Sequence, residues 1–313
     1  MKKNKEVIKA AHRRGGPLAL AAAAAMLPSI AALAVEHDLS PEGTQSVNVV
    51  GAVGGTAIIA DHFEQPTGTG VFEPFLTLDA NGQTSTGNKN IESAYNTDGF
   101  TAMYLDQLRP QWNERLRVSD LATLTKDGVN YFGFILDANE PGGDKDLVSI
   151  DNIRIYTSST DNTANVGSDI SKLDDLGTLR WAMNDPLVTG ITPPDLNGFN
   201  VDQWVKLDAS QENVEQGSTQ SNGGSGKGDM IVYVPQSAFG NSLGTSDFVW
   251  FYNLNGVHYS ADKDLAAESG YEEWRAVVGP QQVPDGGSTL VLLGTALTAL
   301  SLIASRRKLA KHA

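Results

Sequence analysis

Short apolar runs, mostly five to nine residues long, recur along the middle of this chain. They are Ser46–Ala60, Val71–Asp79, Glu114–Val118, Val129–Asp137, Leu147–Tyr156, Thr178–Met183, Trp204–Asp208, Met230–Val234 and Asp247–Leu254. Val, Ile, Phe, Tyr and Trp dominate them, and clusters of Gly, Asp, Asn, Ser and Thr separate them. β-branched and aromatic residues between turn formers predict strands. Asn130–Leu136 mixes aromatic and aliphatic positions without alternation, as a strand covered on both faces does. Helical signals are weak: Ser119–Thr125 and Ser260–Ser269 each suit one or two turns. Thr157–Gly177 and Ala209–Gly228 read as long polar loops within one domain. No repeat of 20–50 residues is present, which argues against a solenoid or propeller. The expected fold class is all-β, a jelly-roll-like β-sandwich.

The charge is unevenly placed. Ten of the 23 bases but only one of the 37 acids lie in the two ends, so residues 35–305 hold 13 bases and 36 acids and stand at −23. Such a body repels polyanions, so nucleic acid is excluded as a partner. The chain has no Cys. That removes disulfides, thiol catalysis and Cys-ligated metals.

The N-terminus has the zones of an export signal: bases up to Arg14, an alanine-rich apolar run Leu18–Leu27, and Ala32-Leu33-Ala34 before Val35. Small residues at Ala32 and Ala34 suit signal peptidase, which predicts a signal peptide over 1–34. At the other end, Val283-Pro284-Asp285-Gly286-Gly287-Ser288-Thr289 precedes the apolar run Leu290–Ala304 and the basic triplet Arg306-Arg307-Lys308. Eighteen residues from Ser288 to Ser305 give a helix of about 27 Å. A bilayer core of about 30 Å is nearly matched. The basic triplet stays on the cytoplasmic side of the inner membrane and the body faces outward.

This tail resembles the PEP-CTERM sorting signal of Gram-negative bacteria, in its VPDSG-type variant. The resemblance implies an exosortase as processing partner, with cutting near the motif and transfer to the cell surface or the exopolysaccharide matrix. The body also resembles a recurrent group of PEP-CTERM surface proteins. The matching pieces are Gly68–Leu76, Tyr95–Asp98, Leu136–Glu140, Leu147–Asp151, Gly224–Met230 and Gly270–Trp274, in an order covering residues 66–276. It implies a secreted β-rich domain and leaves its activity open. The expected organisation is a signal peptide over 1–34 and an N-terminal segment of the mature chain over 35–65. A β-sandwich domain over 66–280 and the sorting signal over 283–310 follow.

Within the body, Asp137, Asn139, Glu140, Asp144, Asp146 and Asp151 fall in 15 residues just after an apolar strand. Hard oxygen ligands at a strand end make this a candidate Ca²⁺ site, with Asp229 and the pair Glu272-Glu273 able to join if they fold nearby. The spacing is not that of an EF-hand. A highly acidic chain also places carboxylates together by composition alone. His37 lies near the expected new N-terminus, where disorder is usual. Asp61-His62 and His258-Tyr259 contain triad residue types, but no G-x-S-x-G motif nominates a serine. Five Trp (Trp112, Trp181, Trp204, Trp250 and Trp274) lie on or beside predicted strands. Most Trp in such a sheet fill the core, while an exposed one offers a face for sugars. The composite expectation is a non-enzymatic structural or adhesive surface protein that holds matrix polysaccharide, with Ca²⁺ as the candidate ion. The alternative is a secreted hydrolase acting on exopolysaccharide.

Overall fold

The computed structural model describes residues 34–41, 45–61, 73–79, 91–97, 112–140, 146–167, 169–184, 202–209, 228–240, 244–258, 265–267 and 270–278. Among these, fourteen strands form two seven-stranded sheets. The first runs β1 (Val35–Asp38), β11 (Gln203–Asp208), β9 (Leu147–Ser158), β13 (Phe248–Asn255) and β5 (Glu92–Tyr95). To it belong β10 (Thr178–Ala182), paired with β9, and β6 (Leu116–Arg117), paired with β13. The second runs β2 (Ser46–Val50), β3 (Thr56–Ala60), β12 (Met230–Pro235), β8 (Val129–Asp137), β14 (Glu272–Ala276) and β4 (Leu76–Leu78). There β7 (Leu124–Lys126) pairs with β8. The pairings are antiparallel except β1 with β11, which is parallel. The expected all-β class is therefore what the chain adopts.

One apolar core joins the two sheets. Phe134 of β8 and Trp274 of β14 meet Phe251 of β13, with ring centroids 5.1 and 4.7 Å apart. Phe75 adds an edge-on contact to Phe251 at 5.5 Å. The Trp274 indole N–H donates to Asn253 Oδ1 across the layers at 2.9 Å, so the ring buries its apolar body without stranding its polar atom. Residues 131–137 of β8 are all buried, as the unalternating sequence predicts. The outward face of β8 and β12 carries a second cluster of Tyr131, Ile135, Ile231 and Tyr233. Asp127-Gly128 turns β7 into β8 with positive φ at both residues, 50° and 78°. Two left-handed residues are what a tight hairpin turn requires.

Three expectations are corrected. The polar stretch Thr157–Gly177 is not a plain loop. It completes β9, forms a short helix α1 (Thr163–Val166), and continues into a 3₁₀ turn at Ile170–Leu176. Val166, Leu173 and Leu176 are buried there, and the Tyr95 hydroxyl donates to Gly167 O at 3.0 Å. Ser119–Thr125 gives one 3₁₀ turn, Val118–Asp120, followed by strand β7. His37 is held in β1, with its ring Nε2 3.1 Å from Gln203 Oε1. Among the described residues, no helix is long and apolar enough to cross a membrane. The expected spanning segment and the signal peptide both lie outside the described residues.

Candidate functional site

The acidic loop begins where β8 ends. Asp137 sits opposite Glu273 of β14, and Ile135 opposite Arg275, so these four share the outward face of the second sheet. Burial pushes the Arg275 guanidinium below its ordinary range, and the neighbouring Asp137 carboxylate pulls it back up. The Ala138 N–H donates to Asp229 Oδ2 at 2.7 Å, and the Asp229 N–H donates to Leu136 O at 2.6 Å. The Asn139 amide donates to Tyr271 O at 2.7 Å. Strand pairing thus brings Asp137, Asn139 and Asp229 to one end of the second sheet, although 91 residues separate Ala138 from Asp229.

The other candidates disperse. Asp146 lies at the start of β9, where its carbonyl accepts from Ala209 N–H. Asp151 belongs to the first sheet and has other partners. Asp144 lies outside the described residues, and Glu140 stands near Glu272. Among the described residues, no three His, Asp or Glu side chains stand together in a metal-holding group.

A different constellation forms on the outward face of the first sheet. Asp151 Oδ1 lies 2.5 Å from His258 Nδ1. Asp151 Oδ2 accepts from Val257 N–H at 2.6 Å and from the Ser149 hydroxyl at 2.9 Å. The His258 N–H donates to Ser149 Oγ at 3.2 Å. The imidazole stacks on Trp204, with centroids 4.4 Å apart and planes 14° apart. Burial pushes the Asp151 carboxyl above its ordinary range, while the His258 ring and the two other donors pull it down. A carboxylate that accepts at Nδ1 fixes the proton on that nitrogen and leaves Nε2 as the basic atom.

The backbone makes this possible. Between Ile150 and Asn152 the pairing of β9 with β13 shifts register, and Asp151 is the extra residue. Bulges re-aim side chains in this way. The sequence carries the signal: core residues Val148 and Ile150 step by two, then Ile153 and Ile155 resume after a step of three. That change of parity marks the bulge, but it was not legible without knowing which face was inward. Which histidine would meet Asp151, 107 positions away, had no local signal.

Of the five Trp, Trp181, Trp250 and Trp274 are wholly buried and Trp204 nearly so. Trp112 is 37% exposed and packs edge-on against Tyr271, centroids 5.4 Å apart. The Asn139 amide that anchors the Tyr271 carbonyl lies beside this pair.

The sorting motif Val283–Thr289, the basic triplet Arg306–Lys308 and the cleavage residues Ala32 and Ala34 lie outside the described residues, apart from Ala34 just before β1. No curated protein and no solved structure matches the chain. Residues 282–309 match the family model of the VPDSG-CTERM motif, a PEP-CTERM-like exosortase sorting signal. The chain carries such a signal, which supports an exported, cell-surface-directed protein processed by an exosortase.

Proposed function

We propose that this chain is a structural or adhesive component of the outer surface or exopolysaccharide matrix of a Gram-negative bacterium. Its body is a jelly-roll-like sandwich, delivered by a signal peptide and held by a transient transmembrane helix until exosortase cuts near Val283–Thr289. It binds matrix glycans without turning them over. The match at 282–309 is the observation that carries the reading. The Trp112–Tyr271 pair, with Trp112 exposed and Tyr271 half-buried, supports the glycan part. Aromatic faces stack on the C–H faces of sugar rings, and the neighbouring amide of Asn139 suits hydroxyl recognition.

A second reading, hydrolysis of exopolysaccharide, draws on the Asp151–His258 pair. A carboxylate-held imidazole with a basic Nε2 is a general base in form. Incubating the purified chain with matrix polysaccharide, then measuring both binding and released fragments, separates the two. Binding without fragments, lost in Trp112→Ala, supports adhesion. Fragments that disappear in His258→Ala overturn it.

A further inference from the structure

A strand at the margin of a sheet exposes one row of backbone N–H and C=O groups, and proteins guard that row with charge, proline, a bulge or a covering segment. Among the described residues, the other marginal strands are guarded. β1 carries Glu36 and Asp38, β6 carries Arg117, β7 carries Lys126 and β10 carries Arg180. β4 and β5 are buried along their whole length. β2, the outermost strand of the second sheet, has none of these protections. Its sequence is Ser-Val-Asn-Val-Val, its pairing with β3 runs without a bulge, and Ser46, Asn48 and Val50 are exposed. No charged residue occurs from Thr44 to Ala60, in a body that holds 36 acids and 13 bases.

The ladder decides which backbone groups are open. The Gly51 N–H donates to Gly55 O and the Asp61 N–H donates to Gln45 O, so residues 45, 47, 49 and 51 bond inward, to β3 and its flanks. In an antiparallel pair the intervening residues turn both groups the other way. The N–H and C=O of Ser46, Asn48 and Val50 therefore point out of the sheet edge. Val50 O accepts from Gln203 Nε2 at 2.8 Å. The rest of this row has no partner among the described residues.

The row is complementary to itself. A second copy laid antiparallel about a two-fold axis through Asn48 sets Asn48 against Asn48 and Ser46 against Val50, and each pair exchanges both bonds. Charge selects the place as well. Two bodies at −23 repel each other, and a neutral edge is where like-charged copies meet at least electrostatic cost. We propose that β2 is a homotypic docking edge, through which two copies of this chain pair antiparallel over Ser46–Val50 and their second sheets run on as one. A five-residue strand makes a small contact, so the dimer is weak in dilute solution and favoured where copies crowd on one surface. It does not depend on glycan binding and survives the failure of that reading.

The chain has no Cys, so a single introduced thiol reports the register. Asn48→Cys sets the two sulfurs opposite each other, with Cα atoms about 5.5 Å apart and within disulfide reach. Ser46→Cys sets its two about 14 Å apart along the strands, out of reach. The full chain in detergent is mildly oxidised and run on a non-reducing gel. Asn48→Cys is expected to form a disulfide dimer, with Ser46→Cys at least about tenfold behind, since only one of the two lies within reach. Adding Ser46→Pro to Asn48→Cys removes an N–H that β3 does not use, so each copy keeps its melting temperature while cross-linking falls at least about tenfold. Val50→Lys, a charge on the same exposed edge, is expected to lower it likewise. Absence of the Asn48→Cys dimer overturns the proposal. So does equal cross-linking at the two positions, which marks chance encounter in the micelle, and so does a dimer undiminished by both Ser46→Pro and Val50→Lys.

Discussion

Asp151 Oδ1 stands 2.5 Å from His258 Nδ1, one group wholly buried and the other a quarter exposed. The imidazole closes a carboxylate that the β9 bulge has turned out of the sheet ladder. Removing one partner leaves the other unsatisfied in a buried place. His258→Ala is therefore expected to cost about 2–4 kcal/mol of stability. Asp151→Asn keeps an acceptor at the same place and should cost less. Urea unfolding of both variants checks the order.

Arg154 is the largest buried cation on the first sheet. Its Nε donates to the Tyr156 hydroxyl at 2.7 Å and its Nη1 to Asn184 O at 3.1 Å, while Nη2 meets Asp174 Oδ1 at 3.2 Å. Burial, more than the nearby charges, holds the Tyr156 hydroxyl far above its ordinary range. A lysine keeps the charge but not the planar fork. Arg154→Lys is expected to cost about 2 kcal/mol by chemical denaturation, since it strands two of these acceptors.

Gly270, two residues before β14, has φ at +115°. A Cβ there would fall 1.7 Å from Asn139 O. Gly270→Ala meets both left-handed strain and a backbone clash, so a loss of about 2–4 kcal/mol is expected. The Asn139–Tyr271 hydrogen bond must also shift, and glycan binding at Trp112 should fall with it. A melt and a binding assay on one preparation read both effects.

Asp161 Oδ1 accepts from the Thr163 N–H at 3.0 Å and from its hydroxyl at 2.7 Å, and Arg115 lies 3.2 Å from Oδ2. Slight burial raises this carboxyl, but the Thr163 bonds and Arg115 outweigh it and hold it below its ordinary 3.8. A depressed folded value stabilises above the unfolded one and is lost as pH falls through the folded value. Asp161→Asn should therefore cost about 0.5–1 kcal/mol at neutral pH. The difference should vanish in acid below the folded value, as paired melts across pH 2–7 would reveal.

The long strands were legible because their own residues are apolar on buried faces: Val129–Asp137 is β8 residue for residue, Met230–Val234 stops one residue short of the end of β12, and Asp247–Leu254 is β13 displaced by one residue at each end. The missed strands have little intrinsic β character. β1 is Val-Glu-His-Asp, β5 is Glu-Ser-Ala-Tyr and β14 opens Glu-Glu. Each exists because a partner strand supplies the ladder, and pairing at long range leaves no local trace. The same holds for the sites. The acidic loop drew attention through density of carboxylates. The polar groups that meet in space, Asn139 with Tyr271 and Asp151 with His258, come from separate strands and turns, and only the register joins them.

The central claim, export and exosortase processing, is tested most directly by the intact mass of the surface-released protein. Cells with and without their exosortase, and cells making a chain without Arg306–Lys308, are compared. The account predicts a released species that begins at Val35 and ends in or near Val283–Thr289. Without exosortase or the basic triplet, the precursor stays in the membrane with its tail uncut. A released protein that still carries residues 290–305, or normal release without the exosortase, would contradict it.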